Sequence, residues 1–193
     1  NKFPNCYIVS DEIYELINFQ GENFSIGTLE SVKDQVITVN GVAKGFAMTG
    51  WRIGYIGAPL HVAKACTKLQ GQFTSGANTI AQKATQAAIS VDPSQVADLK
   101  ASFLKRRDLI VELLKGVEGL GTNIPNGAFY VFPDVSHFFG KSAGEHKVNT
   151  ADDMAMYLLA DCQIATTGGD SFGCPNNIRI SYATSEDQIT EAV

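Results

Sequence analysis

The run Val36-Ile37-Thr38-Val39 is β-branched at every position and leads straight into Asn40-Gly41-Val42-Ala43-Lys44-Gly45, a stretch of small residues around one lysine. Consecutive β-branched residues favour extended backbone, and the small residues after them suit a turn. The sequence therefore predicts a buried strand that ends just before Lys44. That puts the lysine at the end of a strand, where α/β proteins commonly keep their chemistry. No bulky neighbour shields it, so it is open to covalent attack on a carbonyl. Arg52 follows eight positions later, near the start of the apolar run from Trp51 to Ala58. This run reads as another strand of the same sheet, closed by Pro59.

Composition narrows the function classes. The chain has 193 residues, 45% hydrophobic and 18% charged, enough for one domain or two with a sizeable core. A net charge of −5 without a basic block gives nucleic acid and anionic lipid nothing to bind, and leaves a small charged metabolite as the natural partner. Cys6, Cys66, Cys162 and Cys174 are far apart with no C-x-x-C pair, and the histidines are scattered, so no metal site is expected. The cysteines read as small packing residues in a reducing, cytoplasmic compartment. No signal-peptide pattern or membrane-length apolar run is present, so the expectation is a soluble protein with no membrane partner. Both ends read as cut: the chain opens at Asn1 and enters a strand within a few residues, and the helix capped by Ser185 stops at Val193 after barely two turns.

In chain order, Tyr7-Ile8-Val9 reads as a short buried strand, with Asp11 and Tyr14 emerging beyond its C-terminal end. An isolated Asp-x-x-Tyr is most simply a turn cap and half-buried packing. Residues 18–35 read as loop plus weak helix anchored by Ile26 and Leu29, residues 60–71 and 79–90 as helices, and Phe73 to Asn78 as the loop between them. Asp92-Pro93-Ser94-Gln95 is a helix start, with a capping Asp and Pro at the first helical position, and the change of domain is placed there, giving 1–91 and 92–193. The helix that follows spaces Val96, Leu99, Phe103, Ile110, Leu113, Leu114 and Val117 along one face, with Lys105-Arg106-Arg107 as a solvated face. Ala128 to Phe132 reads as a strand, 136–149 as a loop with surface His137 and His146, Thr150 to Asp161 as a helix, and Ile164 to Thr167 as a short strand. In the last strand, Ile178-Arg179-Ile180-Ser181-Tyr182, Arg179 sits between isoleucines. A buried unpaired charge is too costly, so it requires either an internal salt bridge or a ligand carboxylate.

One chemistry uses this set together. A pyridoxal phosphate site needs a lysine amine for a Schiff base and for proton transfer, and a carboxylate to keep the pyridine nitrogen protonated. A tyrosine serves the phenolic oxygen, one arginine the phosphate, and a second, bidentate arginine an amino-acid carboxylate. Asp11, Tyr14, Lys44, Arg52 and Arg179 fill those roles.

The residues also carry a resemblance. Gly41-Val42-Ala43-Lys44 with Ala47, Met48, Gly50, Arg52, Ile53 and Gly54 resembles the cofactor-attachment signature of class I and II aminotransferases, the aspartate aminotransferase-like branch in particular. Ser10-Asp11-Glu12-Ile13-Tyr14-Glu15 is similar to that family's Asp/Tyr strand, and Ser171-Phe172-Gly173 with Ile178-Arg179-Ile180-Ser181 to its substrate-carboxylate segment. The resemblance spans the chain but only the C-terminal half of such an enzyme. It implies an α/β fold of type I, with part of a large, mostly parallel sheet domain and a small α/β domain. It implies Lys44 as Schiff-base lysine and general base, Asp11 at the pyridine nitrogen, Tyr14 at the phenolic oxygen, Arg52 at the phosphate and Arg179 at the substrate α-carboxylate. It further implies pyridoxal 5′-phosphate as cofactor, an amino acid and a 2-oxo acid as substrates, and a homodimer with the loop from Phe73 to Asn78 near the partner's site. Many relatives carry serine where this chain has Gly41, so any phosphate contact there is a backbone one. The family's ring-stacking aromatic and its asparagine fall upstream of Asn1, so this stretch alone is expected to bind the cofactor weakly and not to transaminate. The alternatives are another enzyme of the same fold type (a β-lyase, a decarboxylase or an aminocyclopropane-carboxylate synthase-like enzyme), an aminotransferase-like domain of a transcription regulator, and an α/β domain whose lysine and arginines are structural.

Overall fold

The structure is a computed structural model that describes residues 2–193, the side chain of Pro93 excepted. It forms two compact units, the first running to Lys100 and the second Ala101–Val193.

The first unit is built on β1 (Ile8–Asp11), β2 (Val36–Gly41) and β3 (Gly54–Gly57), in the order β1-β2-β3. β1 runs parallel to β2, with Ile8 opposite Val36 and Asp11 opposite Val39, so the two strands end side by side. β3 is antiparallel to β2 and pairs Gly54 with Gly41. The segment joining β1 to β2 holds two 3₁₀ turns, Ile26–Thr28 and Lys33–Gln35, in place of the weak helix expected, and Leu29 is 42% exposed rather than an anchor. Ile17, Val36, Val42 and Ala81 are the buried apolar residues of this unit among those described. β1 alternates half-buried Ile8 and Ser10 with exposed Val9 and Asp11, which corrects the reading of a short buried strand. The predicted strand from Trp51 is also shorter. Thr49–Trp51 forms a 3₁₀ turn and Arg52 takes a left-handed conformation at φ 56°, so extended backbone begins only at Gly54. Two helices follow, α1 (Leu60–Phe73) and α2 (Thr79–Ile89), the latter capped by Asn78, whose side-chain oxygen accepts from the Ile80 and Ala81 amides.

The Asp92 cap is present, its carboxylate accepting from Ser94 N–H at 2.8 Å, and a 3₁₀ turn precedes α3 (Ala97–Lys115). In the second unit α3 buries Phe103, Ile110, Val111 and Leu114. The basic run on this helix is not one solvated face. Arg106 lies over the Phe103 ring, and the Arg107 side chain, 16% exposed, donates to the Pro125 carbonyl and pairs with Asp108. Strands β4 (Tyr130–Val131), β7 (Thr167–Gly168) and β8 (Ile178–Ser181) form an antiparallel sheet with β8 in the middle. β4 is shorter than predicted because Ala128 sits at φ 59° just before it. The expected strand at Ile164 is confined to β7, and the segment 136–149 is not plain loop: β5 (Lys141–Ala143) and β6 (His146–Val148) form a hairpin. His146 is half-buried, with Nε2 3.3 Å from Asp161.

Helix α4 (Ala151–Cys162) opens on a full capping box between Thr150 and Asp153, and α5 (Glu186–Ala192) on Ser185. Val135, Val148, Ala151, Met154 and Ile178 form a core cluster in this unit, with Tyr157 and Leu158 of α4 packed against it. All four cysteines are free and exposed, which overturns their reading as packing residues. Among the described residues no helix is long and apolar enough to cross a membrane.

Candidate active site

Lys44 owes its position to the way β2 ends. Gly41 and Gly54 face each other across the ladder, and a Cβ on Gly41 would stand 2.9 Å from the Ile53 carbonyl oxygen, so the two backbones come together only because no side chain intervenes. Val42 is fully buried and pins the start of the turn. The turn is closed by Ala47 N–H to Lys44 O at 3.1 Å, Met48 N–H to Val42 O at 3.2 Å and Thr49 Oγ1 to Ala43 O at 3.1 Å. Gly45 is buried against Leu16, whose Cδ1 would lie 2.7 Å from an added Cβ. Lys44 is thereby half-buried, with Nζ 5.9 Å from the centre of the Tyr14 ring.

Asp11 is the last residue of β1, beside the end of β2. It does form the turn that an isolated Asp would: Oδ1 accepts from Ile13 N–H at 3.2 Å. Its other carboxylate oxygen accepts no hydrogen bond among the described residues. Glu12 N–H donates to Val39 O at 2.8 Å, and the Glu12 carboxylate accepts from the Ser10 and Ser25 hydroxyls, so the segment between Asp11 and Tyr14 is held on both sides.

Two residues that the sequence did not single out join this segment to the lysine turn. Asn40 Nδ2 donates to Glu15 Oε1 at 2.7 Å, and Asn40 Oδ1 accepts from Gly41 N–H at 2.7 Å. Asn40 is 8% exposed, and a buried asparagine closing a β-branched strand was the available signal, since asparagine is depleted in strands and must be satisfied when buried. Tyr55 stands opposite Asn40 in the ladder, and its hydroxyl is pushed above the ordinary tyrosine value, first by partial burial and then by the negative charge of Glu15.

Arg52 lies farther along, exposed, with Nη1 donating to Thr49 O at 3.0 Å. It lines a depression of about 510 Å³ with Ala47, Gly50, Trp51, Asn78 and Ala81. The Arg52 guanidinium among the lining residues makes this depression favourable to an anion. A larger cavity of about 690 Å³ lies in the second unit; it is lined mostly by core side chains such as Leu114, Met154 and Ile178, and holds none of the predicted site residues.

Arg179, in the second unit, sits on β8 opposite Thr167. No carboxylate pairs with it among the described residues. Its guanidinium carbon lies over two aromatic rings, 4.7 Å from the centre of Tyr130 and 4.6 Å from that of Phe172. Of the five predicted residues, then, Lys44 and Tyr14 are neighbours, Asp11 shares their strand-end edge, Arg52 follows on the same loop, and Arg179 belongs to the other unit.

The fold is that of the α/β, fold type I aminotransferases. The crystal structure of aspartate aminotransferase from Rhizobium meliloti matches with a TM-score of 0.92 and 39% identity, covering 99% of this chain and 48% of that one. The Thermus thermophilus aspartate aminotransferase with maleate matches at 0.86 and 39%, covering 97% and 47%. The model for aminotransferase class I and II matches residues 1–193, and the chain belongs to this family. Among curated relatives, the bifunctional aspartate aminotransferase and glutamate/aspartate-prephenate aminotransferase of Petunia hybrida is 42% identical, covering 100% of this chain and 41% of its own length. A probable aspartate/prephenate aminotransferase of Rhizobium leguminosarum is 40% identical over 99% of this chain and 48% of its own. The chain thus spans about half the length of the curated relatives it matches.

Proposed function

We propose that the whole protein is a pyridoxal 5′-phosphate-dependent aminotransferase of the cytoplasm, active as a homodimer. It moves an amino group between an amino acid, aspartate or one like it, and a 2-oxo acid. Residues 1–91 are assigned to the large cofactor-binding domain and 92–193 to the small one. The observation that carries the reading is the Lys44 amine 5.9 Å from the Tyr14 ring, beside the ends of two parallel strands of which the other ends in Asp11.

The donor set fits the cofactor, with an amine, a phenol and a carboxylate on one sheet edge and a guanidinium lining an open depression. When bound, pyridoxal phosphate supplies a conjugated ring that takes up the electron pair left at the substrate Cα. Lys44 Nζ is the amine that would hold the cofactor's aldehyde carbon and, when free, would serve as the base that takes and returns the proton at the substrate Cα. The Asp11 oxygen left without a hydrogen bond would be the acceptor that keeps the ring nitrogen protonated. Tyr14 would serve the phenolic oxygen, and Arg52 would offer the phosphate the N–H groups that Thr49 does not occupy. Arg179, lacking an internal carboxylate, takes the substrate α-carboxylate as its anion. Aspartate as donor is supported by the names of the relatives and by maleate, a dicarboxylate, in the Thermus thermophilus structure.

Borohydride reduction of the whole protein with pyridoxal phosphate, followed by peptide mapping, tests the assignment. The adduct is expected on Lys44 and is lost in Lys44→Ala; an adduct on another lysine refutes it. Amino transfer from aspartate to a 2-oxo acid separates this reading from a lyase, which releases ammonia instead. The 193-residue stretch by itself is inferred to hold the cofactor weakly and to be idle. In support, β3 is exposed at all four positions, and Val9, Phe73 and Ile80 are 66–78% exposed. Turnover by the isolated stretch refutes that part.

A further inference from the structure

Arg179 is the one predicted site residue whose neighbours are chiefly aromatic, and those neighbours come from different elements. Tyr130 lies on β4 opposite Ser181, which makes it the diagonal cross-strand neighbour of Arg179. Its ring is held from behind: Phe129 is 4.8 Å away, and Phe129 in turn stacks on Phe103 of α3 at 5.2 Å. Phe172 ends the 3₁₀ turn Gly169–Phe172. That turn is fastened by Gly169 N–H to Asn177 O at 2.7 Å and Cys174 N–H to Gly169 O at 3.0 Å, and a Cβ on Gly169 would stand 2.2 Å from the Cys174 oxygen. Phe132 meets the Phe172 ring edge-on at 5.9 Å, and Asn177 Nδ2 donates to Phe132 O at 2.9 Å. Each ring is therefore fixed by its own set of contacts, and both are aimed at one guanidinium that has no carboxylate within ion-pair distance among the described residues.

We propose that Phe172 and Tyr130 are positioning residues for substrate recognition: their ring faces hold the Arg179 guanidinium in one orientation, so that its N–H edge is presented to an incoming carboxylate. A guanidinium over a ring face keeps its in-plane donors free, whereas one held by an internal carboxylate has spent them. Orienting it beforehand removes the entropy of ordering a long side chain at the moment of binding. This rests on the assignment of Arg179 to the substrate carboxylate.

The test uses the whole protein loaded with pyridoxal phosphate and reads the dissociation constant for maleate by calorimetry, alongside KM and kcat for the amino donor. Phe172→Leu keeps an apolar side chain and removes the ring; it is expected to weaken maleate about tenfold and to raise KM by a similar factor with kcat nearly unchanged. Phe172→Trp, which restores a ring face, is expected to recover most of the affinity. Phe172 is 46% exposed, so its loss leaves the core intact, and Phe172→Met replaces the leucine variant should that fail to fold. Maleate affinity within twofold of wild type in the ring-less variant overturns the proposal, as does a fall in kcat without a change in KM. Arg179→Leu separates the two layers. If it abolishes maleate binding while Phe172→Leu does not weaken it, only the aromatic positioning falls. If it leaves maleate binding intact, the assignment of Arg179 falls and the positioning proposal with it.

Discussion

Asn40→Ala probes the link between the Asp11 segment and the lysine turn. The substitution removes a 2.7 Å hydrogen bond to the Glu15 carboxylate and a 2.7 Å bond accepted from Gly41 N–H, at a residue 8% exposed. A hydrogen bond to a charged group contributes about 1.5–3 kcal/mol and a neutral one about 0.5–1.5. Glu15 is only half-buried and regains water when released, so the net loss is placed at the low end of the sum, about 2 kcal/mol. Because the chain forms two compact units and need not unfold in two states, the informative readout is local: hydrogen exchange of residues 40–44. A loss of about 2 kcal/mol accelerates exchange about 30-fold where local opening governs it. Glu15→Gln, which keeps an acceptor but not its charge, is expected to give a smaller effect and also to lower the titration of Tyr55, since the Glu15 charge is one cause of its elevation. Asn40→Asp keeps the acceptor for Gly41 N–H but sets a carboxylate against Glu15, and should be at least as damaging as alanine. Exchange of these amides within threefold of wild type in Asn40→Ala would refute the idea that the Asn40 side chain holds the turn.

Gly41→Ala is expected to destabilise by about 1–3 kcal/mol, because the added Cβ meets the Ile53 oxygen at 2.9 Å and backbone has to move; unchanged thermal stability of the whole protein would count against that close approach. Thr150→Ala should cost about 1 kcal/mol by removing the α4 cap, seen as faster exchange in residues 151–154. The Asp153 carboxylate is held below its ordinary range by the Asn149 amide first and the Thr150 contacts after it, so its contribution is present above the unfolded value and is lost as pH falls through the folded one. Asp153→Asn should therefore flatten the acid limb of the stability curve, and an unaltered limb contradicts the assignment. Burial raises the Tyr182 hydroxyl far above its ordinary value, with the O–H donating to Ala128 O at 3.1 Å, so its contribution is present below about pH 10 and is lost at higher pH. Tyr182→Phe should weaken the protein at neutral pH yet soften its alkaline unfolding, as followed by circular dichroism against pH.

The parts of this structure legible in the sequence are those fixed by short-range physics. The β-branched run at Val36–Val39, the Asp92, Thr150 and Ser185 caps and the two helices after Pro59 follow from local backbone preference, and each appears within a residue or two of its predicted place. Misreadings arose where a distant partner decided. Arg107 reads as solvated because its Pro125 carbonyl partner lies 18 positions on, where helical periodicity cannot find it; the contact of Arg106 with Phe103 is an i,i+3 pair that periodicity does supply and that the weight given to charge hides. The hairpin of β5 and β6 lay in a segment with little β-branched character, held by cross-strand pairing and the burial of Val148. Cysteine is on average a buried residue, and average behaviour says little about four particular residues that are exposed.

The two arginines show the same division within the candidate site. Arg52 is set by its own backbone, being in a left-handed conformation with Nη1 tied to a carbonyl three residues back; its direction is nearly a property of the Thr49–Trp51 turn. Such a residue can be named from a motif, because the motif is the turn. Arg179 has an ordinary strand backbone, and its direction comes from two rings 49 and 7 positions away in the chain. From sequence, an arginine between isoleucines announces only that an anion or a salt bridge must exist. Its partners fall in runs, Phe129-Tyr130 and Ser171-Phe172, that read equally well as packing. What favours the proposed ligand site over a salt bridge is that no carboxylate pairs with Arg179 among the described residues, which is visible only once the surroundings are in place. Lysine at position 52 would keep the charge but lose the bond that aims it. At position 179 it would also lose the flat face on which Tyr130 and Phe172 act, so Arg179→Lys is the more damaging of the two exchanges for carboxylate binding.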